Sequence, residues 1–288
     1  MSVVTPFGTI AVIGLGLIGG SIAKDIRRLG LSQRIIGYDN NLDYKKQILS
    51  EKFVNYFASA PDEKIHEAEL IVLAVPVKAF EDVISKIYPH LSRSVIITDV
   101  GSVKLPLTKL MNEHKFKKIR FVGGHPIAGS EYFGPNAAKE KLFTDKRLIL
   151  TPIRGTDPEA VKIVRNFWQS IGAIVSEMKP ESHDELFASV SHLPHLLAYA
   201  SIQAIFNSES PEVLRHSGAG LKDFSRIASS SPEMWSDIFI ENQKNLIERI
   251  KIFKKVLKEL EDSIFKKDKK KLVQMLEKAK SERDRWMI

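Results

Sequence analysis

Residues 9–39 constrain the fold of this chain more than any other stretch. A short run rich in β-branched and apolar residues, Thr9–Ile13, leads directly into Gly14-Leu-Gly16-Leu-Ile-Gly19. An amphipathic stretch from Leu17 to Leu29 follows and is stopped by Gly30. A second apolar run, Arg34–Tyr38, ends on Asp39, twenty residues after Gly19. A G-x-G-x-x-G spacing alone is a weak signal in a chain with 16 glycines. Its context here is that of a dinucleotide-binding turn: a strand before it, a helix after it, and an acidic residue ending the next strand. Gly14 permits the tight turn, Gly16 lets the backbone approach a pyrophosphate, and Gly19 lets helix and strand pack closely. The helix N-terminus then offers free N–H groups to the phosphates. Asp39 is expected to accept from the adenosine ribose hydroxyls and to repel a 2′-phosphate, which favours NAD over NADP. Leu17 and Ile18 in the turn, and Val75 and Pro76 further on, belong with Gly14, Gly16, Gly19, Asp39 and Ser102 in the expected cofactor-binding set.

The rest of the first half repeats this rhythm. Apolar runs at Leu70–Val75, Val95–Val100, Phe121–Gly123 and Leu148–Thr151 alternate with helical patterns such as Val77–Tyr88 and Lys104–His114. Continuous apolar strands between helices predict a parallel sheet covered on both faces. After about residue 180 the strand signals stop, and Glu181-Ser182-His183-Asp184 reads as a helix start. Helices are expected over Glu185–Phe206, Pro211–Ala219, Trp235–Phe265 and Lys269–Trp286. In the third of these, Leu246, Ile250, Phe253, Leu257, Leu260 and Ile264 form one apolar stripe on an otherwise charged helix. The expected fold is therefore an α/β Rossmann-type doubly wound domain over residues 1–180, followed by an all-α domain over 181–288. The stripe is expected to pack in the helical domain and to help bury a dimer interface.

Composition removes several classes. The 288 residues contain no Cys, which excludes disulfides, thiolate metal sites and a Cys nucleophile. No window holds about 18 uninterrupted apolar residues, so a membrane span is not expected. The net charge is +8, but residues 244–288 carry fifteen Lys/Arg against eight Asp/Glu, so nearly all of the excess sits in the tail. That distribution is a poor fit to a general nucleic-acid surface. Without a basic leader before an apolar core, the protein is expected in the cytoplasm.

Two further segments follow strands, where open α/β sheets bind ligands. They are Asp99-Val-Gly101-Ser102-Val-Lys104 and Gly123-Gly124-His125-Pro126-Ile-Ala-Gly129-Ser130-Glu131. Ser102 can donate or accept one hydrogen bond, and His125 can take a proton, with its charge change expected near the ordinary histidine range. In the helical half, Lys222 and Arg226 lie one turn apart and are placed to clamp a carboxylate. Gly218, Gly220 and the run Ser229–Ser231 suggest a tight turn facing a ligand. Asp184, His192 and His195 have metal-ligand chemistry, but no second compact cluster supports them, and no metal is expected.

Together GLGLIGGS, DVGSVK, GGHPIAGSE, SHLPH and GLKDFSRIA, followed by Trp235, resemble prephenate dehydrogenases, the tyrosine-pathway family that includes arogenate and cyclohexadienyl dehydrogenases. The resemblance spans about residues 8 to 240. It implies a Rossmann domain, a helical domain that forms a homodimer, and NAD⁺-dependent oxidative decarboxylation of prephenate to 4-hydroxyphenylpyruvate. It implies that His125 is the acceptor for the C4 hydroxyl proton, that Ser102 orients that hydroxyl, and that Arg226 binds a substrate carboxylate. His195, with Asp184 and Asp223, would shape the substrate end, and Glu131 would line or gate the pocket. No chorismate mutase pattern precedes Gly8 and no βαββαβ pattern follows residue 240, so feedback, if present, is expected at the active site itself. The alternatives are arogenate or dual-substrate use, a β-hydroxyacid dehydrogenase that would need a helix-borne Lys, and a non-catalytic NAD-sensing or nucleic-acid-binding protein using the basic tail.

Overall fold

The computed structural model describes residues 6–92, 94–113, 116, 119–130, 132–208 and 211–286. Among them, eight strands form one sheet: β1 (Phe7–Ile13), β2 (Ser32–Tyr38), β3 (Tyr56–Ala58), β4 (Leu70–Leu73), β5 (Ile96–Asp99), β6 (Arg120–Pro126), β7 (Arg147–Thr151) and β8 (Ile174–Glu177). Their order is β3-β2-β1-β4-β5-β6-β7-β8. The covering helices are α1 (Leu17–Leu29), α2 (Lys45–Ser50), α3 (Phe80–Ile87), α4 (Leu105–Met111) and α5 (Pro158–Ser170).

The continuous apolar strands are buried on both faces, as their composition requires. Ile10 and Val12 of β1 and Leu70 and Val72 of β4 join the core beneath α1 and α5. Their neighbours Ala11, Ile13, Ile71 and Leu73 point the other way, into the core beneath α3 and α4. Successive strand residues face opposite sides, so a strand covered twice has no polar alternate. The expected doubly wound sheet forms, and the expectation of an all-parallel sheet is corrected at one junction. β6 and β7 run antiparallel, whereas every other pair is parallel. The two strands without a clear sequence signal, β3 and β8, are the short edge strands, where exposure removes the need for an apolar run.

The sheet order reverses between β1, whose chain moves out to β2, and β4. This switch point opens a crevice at the carboxyl ends of the strands. Residues 14–16, 39–41, 74–76 and 100–104 follow β1, β2, β4 and β5 on that edge. β6 extends beyond them. Its last partner on β5 is Val122, opposite Thr98, while Gly123 to Pro126 pair with β7. His125 is therefore carried out to the rim of the crevice on a rigid strand.

From Pro180 onward every described element is helical: α6 (Pro180–Phe187), a π turn (Ala188–His192), α7 (Leu193–Ser208), a 3₁₀ turn (Pro211–His216), α8 (Ala219–Ser225), a second 3₁₀ turn (Arg226–Ser229), α9 (Pro232–Glu241), α10 (Gln243–Phe265) and α11 (Lys269–Trp286). The helix expected over Trp235–Phe265 is interrupted at Asn242, which leaves helical geometry at φ −106°. The π turn sits just before Pro194, which has no N–H to continue the ladder, and Leu193 N–H reaches back to Ala188 O. The α10 stripe packs less than expected within one chain. Leu246 is buried, Ile250, Phe253 and Leu260 are half-buried, and Leu257 and Ile264 are 52% and 63% exposed. No described helix is long and apolar enough to cross a membrane.

Candidate active site

The glycine turn has the geometry of a phosphate cradle. Gly14 has φ +89°, and a Cβ there would lie 2.3 Å from the Ala74 carbonyl oxygen. A Cβ on Gly19 would lie 1.8 Å from Gly14 O, so the helix can meet the strand only with glycine at that position. Among the described residues no side chain caps α1, and its first turn carries no acidic residue. Its N-terminal amides are therefore available to an anion. Asp39 is held at the end of β2 by Leu15 N–H (2.7 Å) and Asn41 N–H (2.9 Å). A carboxylate has about four acceptor sites, so two remain for a vicinal diol. Leu17, Ile18 and Val75 are half-buried around this cradle and Pro76 is exposed beside it. An open glycine turn, uncapped amides and a fixed carboxylate fit the two ends of an adenosine pyrophosphate, so these residues are suited to hold NAD.

Beyond the cradle, buried polar groups bind the loop after β5 to β6. Asp99 Oδ2 accepts from Gly101 N–H (2.8 Å) and from the Lys104 ammonium, and its Oδ1 accepts from Gly124 N–H (3.1 Å). Lys104 Nζ also donates to Gly124 O at 2.6 Å. Ser102 sits half-buried in the loop between these anchors. His125, next to Gly124, is 8% exposed. Its Nδ1 lies 2.8 Å from His183 Nε2, and His183 Nδ1 lies 2.8 Å from Asp184 Oδ1. Burial, with His183 and Lys104 close by, pushes the His125 imidazolium well below the usual histidine range. This corrects the expectation of an ordinary histidine: His125 stays neutral to lower pH because a buried cation would lack solvation.

The helical half faces the same region. His195 Nδ1–H donates to Ser191 O at 2.8 Å, and the ring stacks on Trp235 with centroids 3.7 Å apart. Its pKa is lowered by burial and by the positive charge of Arg226. Arg226, Lys222 and Asp223 are exposed at the junction of α8 and the following turn. Glu131 lies outside the described residues.

Three expectations are revised. Asp184 is buried, and its oxygens accept from Lys104 N–H (2.8 Å) and Leu105 N–H (2.9 Å) as well as from His183. It supports the N-terminus of α4 from behind rather than facing a ligand. His192 is fully buried and paired with Asn242 at 3.0 Å, so its ring is committed to the interior and not to a ligand. The serine run is a helix start: Ser231 Oγ accepts from Met234 N–H at the N-terminus of α9. Among the described residues no three His, Cys, Asp or Glu side chains converge as metal ligands.

Sequence reasoning gave no role to His183 or Asn242, and it marked the Asp99–Lys104 segment without the buried ion pair that closes it. Asn242 Nδ2 donates to Asp184 O at 2.7 Å, which explains the break between α9 and α10. Of His183 and Asn242, only His183, beside Asp184, carried a local signal, and it read as a helix start.

Comparison with known proteins agrees along nearly the whole chain. A family model described as prephenate dehydrogenase, nucleotide-binding domain, matches residues 22–177, and one described as prephenate dehydrogenase, dimerization domain, matches residues 179–278. Prephenate dehydrogenase of Bacillus subtilis is 34% identical over 96% of this chain and 75% of that protein. Cyclohexadienyl dehydrogenase of Zymomonas mobilis is 34% identical over 92% of this chain and 91% of that protein. A crystal structure of prephenate dehydrogenase from Aquifex aeolicus, in complex with hydroxyphenyl propionate and NAD⁺, superposes with a TM-score of 0.90 at 36% identity. It covers 98% of this chain and 99% of that one.

Proposed function

The chain belongs to the prephenate dehydrogenase family, and from that premise we propose that it oxidises and decarboxylates prephenate to 4-hydroxyphenylpyruvate, in L-tyrosine biosynthesis. NAD⁺, when bound, supplies the hydride acceptor. The single observation that carries the reading is His125: a buried, neutral imidazole held at the crevice rim beside the dinucleotide cradle. As the C4–O bond gains carbonyl character, the hydroxyl proton needs an acceptor, and a neutral imidazole provides one. Loss of CO₂ then aromatises the ring, and the same imidazole returns the proton to the phenol oxygen. Ser102 orients the hydroxyl, Arg226 binds a substrate carboxylate, and His195 with Asp223 shapes the far end of the substrate. Glu131 is assigned to the pocket mouth on the family resemblance alone.

In the same reading, residues 1–180 bind NAD⁺ and residues 181–288 bind substrate and form a homodimer in the cytoplasm, with neither metal nor nucleic acid required. The exposed part of the α10 stripe supports that assembly. A second reading, that the enzyme also takes arogenate, is favoured by the likeness to a cyclohexadienyl dehydrogenase. Side-by-side assays of NADH formation with prephenate and arogenate decide between them. Turnover with prephenate is expected, and no turnover with either substrate would overturn the proposal.

Two variants test the binding ends. Asp39→Ala is expected to lower kcat/KM for NAD⁺ about tenfold or more and to narrow the preference over NADP⁺, because it removes charged hydrogen bonds to the ribose. A wild-type enzyme that prefers NADP⁺ contradicts this assignment. Arg226→Ala is expected to raise KM for prephenate about 10- to 100-fold with KM for NAD⁺ unchanged. Equal weakening of both ligands would remove Arg226 from the substrate site.

A further inference from the structure

We propose that His183, held by Asp184, is the positioning residue that sets the tautomer of His125. The inference rests on the reading of His125 as proton acceptor, and it specifies which ring nitrogen does that work.

The argument starts at Asp184, whose carboxylate can only accept. Oδ1 receives Lys104 N–H and His183 Nδ1, each at 2.8 Å, and Oδ2 receives Leu105 N–H at 2.9 Å. His183 must therefore carry its proton on Nδ1, and because burial lowers its pKa and keeps the ring neutral, a lone pair is left on Nε2. That lone pair faces His125 Nδ1 at 2.8 Å. Two lone pairs cannot share a hydrogen bond, so His125 must be protonated on Nδ1 and donate to His183. The lone pair of neutral His125 is then confined to Nε2, and only that atom can take the substrate proton.

The rings have little freedom to escape this arrangement. Phe187 stacks on His183 with centroids 4.4 Å apart and packs against His125 at 4.7 Å. Asn242 holds the Asp184 backbone carbonyl from α10's start. His183 and Asp184 come from α6, whereas His125 belongs to β6 and the Asp184-bound amides begin α4. The tautomer is thus imposed across the junction between sheet and helical half. A free neutral imidazole would divide between two tautomers, one of which presents an N–H to the substrate hydroxyl instead of a lone pair.

The test uses the full-length protein labelled with ¹⁵N, in which the two ring nitrogens of His125 are distinguished by their chemical shifts. In wild type, His125 Nδ1 is expected to be protonated and Nε2 bare. His183→Phe keeps the ring packing but removes the acceptor. It is expected to shift the His125 proton towards Nε2 and to lower kcat about 10- to 100-fold, with KM for NAD⁺ unchanged. His183→Gln, whose amide oxygen can accept from His125 Nδ1–H, is expected to restore the tautomer and most of kcat. Wild-type His125 protonated on Nε2 would overturn the proposal, as would wild-type kcat in His183→Phe. A kcat loss with an unchanged His125 tautomer would also overturn it, because the role would then be structural. If His183→Phe does not fold, the wild-type and His183→Gln spectra still decide. Absence of turnover by wild type would strike the proposed function, while the nitrogen shifts would still report on the relay.

Discussion

Replacing His125 by Asn is expected to lower kcat by about 10²–10⁴ while leaving NAD⁺ binding nearly unchanged. Asn retains much of the size and can still donate to His183, but it has no basic nitrogen. The pH dependence carries equal weight. Protonation of His125 abolishes its function, and burial beside His183 and Lys104 holds its pKa well below the usual value. Activity should therefore persist as pH falls through the ordinary histidine range of about 6.5 and decline only below it. The acidic limb should vanish from whatever activity His125→Asn retains. Near wild-type kcat in this variant, with the limb intact, would place the base elsewhere, with His195 next to be tested. Ser102→Ala should cost less, since it orients the hydroxyl without accepting its proton.

Lys104→Met should destabilise the fold by about 3–5 kcal/mol, the usual cost of removing one partner from a buried ion pair. Lys104 is 1% exposed, and its ammonium is held by Asp99 and Gly124 O. Methionine keeps most of the aliphatic stem, so packing is largely retained and the loss is mainly electrostatic. Asp99 would be left as a buried carboxylate with two amide donors. Equilibrium urea unfolding measures the change, and the double variant Asp99→Asn/Lys104→Met should recover part of it, because the uncompensated charge is gone. A loss below about 1 kcal/mol in the single variant would show that the pair is not what ties the Ser102 loop to β6.

The glycine turn and the proposed cofactor end of the site were legible because their determinants are close in sequence. The glycine turn, the helix it starts and the strand that ends on Asp39 lie within about thirty residues, and each reports its own backbone requirement. The α1 boundaries, Leu17 to Leu29, appear as read, with Gly30 closing the helix. The expected helix over Trp235–Phe265 failed at Asn242 for the opposite reason. Its apolar periodicity continues through the break, and the break is made by an amide turned towards α6 and His192. Likewise β7 has an apolar run that identifies a strand but carries no sign of its direction.

By itself the sequence determined that a dinucleotide-binding sheet is followed by helices, that NAD is the favoured cofactor, and that His125 stands on the ligand-binding edge. These follow from turns, strand composition and spacing, which act over a few residues. Only the tertiary structure decided the condition of His125. Its neutrality comes first from the loss of solvent where α6 covers the end of β6, and its hydrogen-bond partner is His183, 58 residues away. Asp184 reaches α4 amides 79 and 80 residues back. Desolvation and hydrogen-bond direction depend on which groups meet in space, and no local pattern in the chain encodes that meeting.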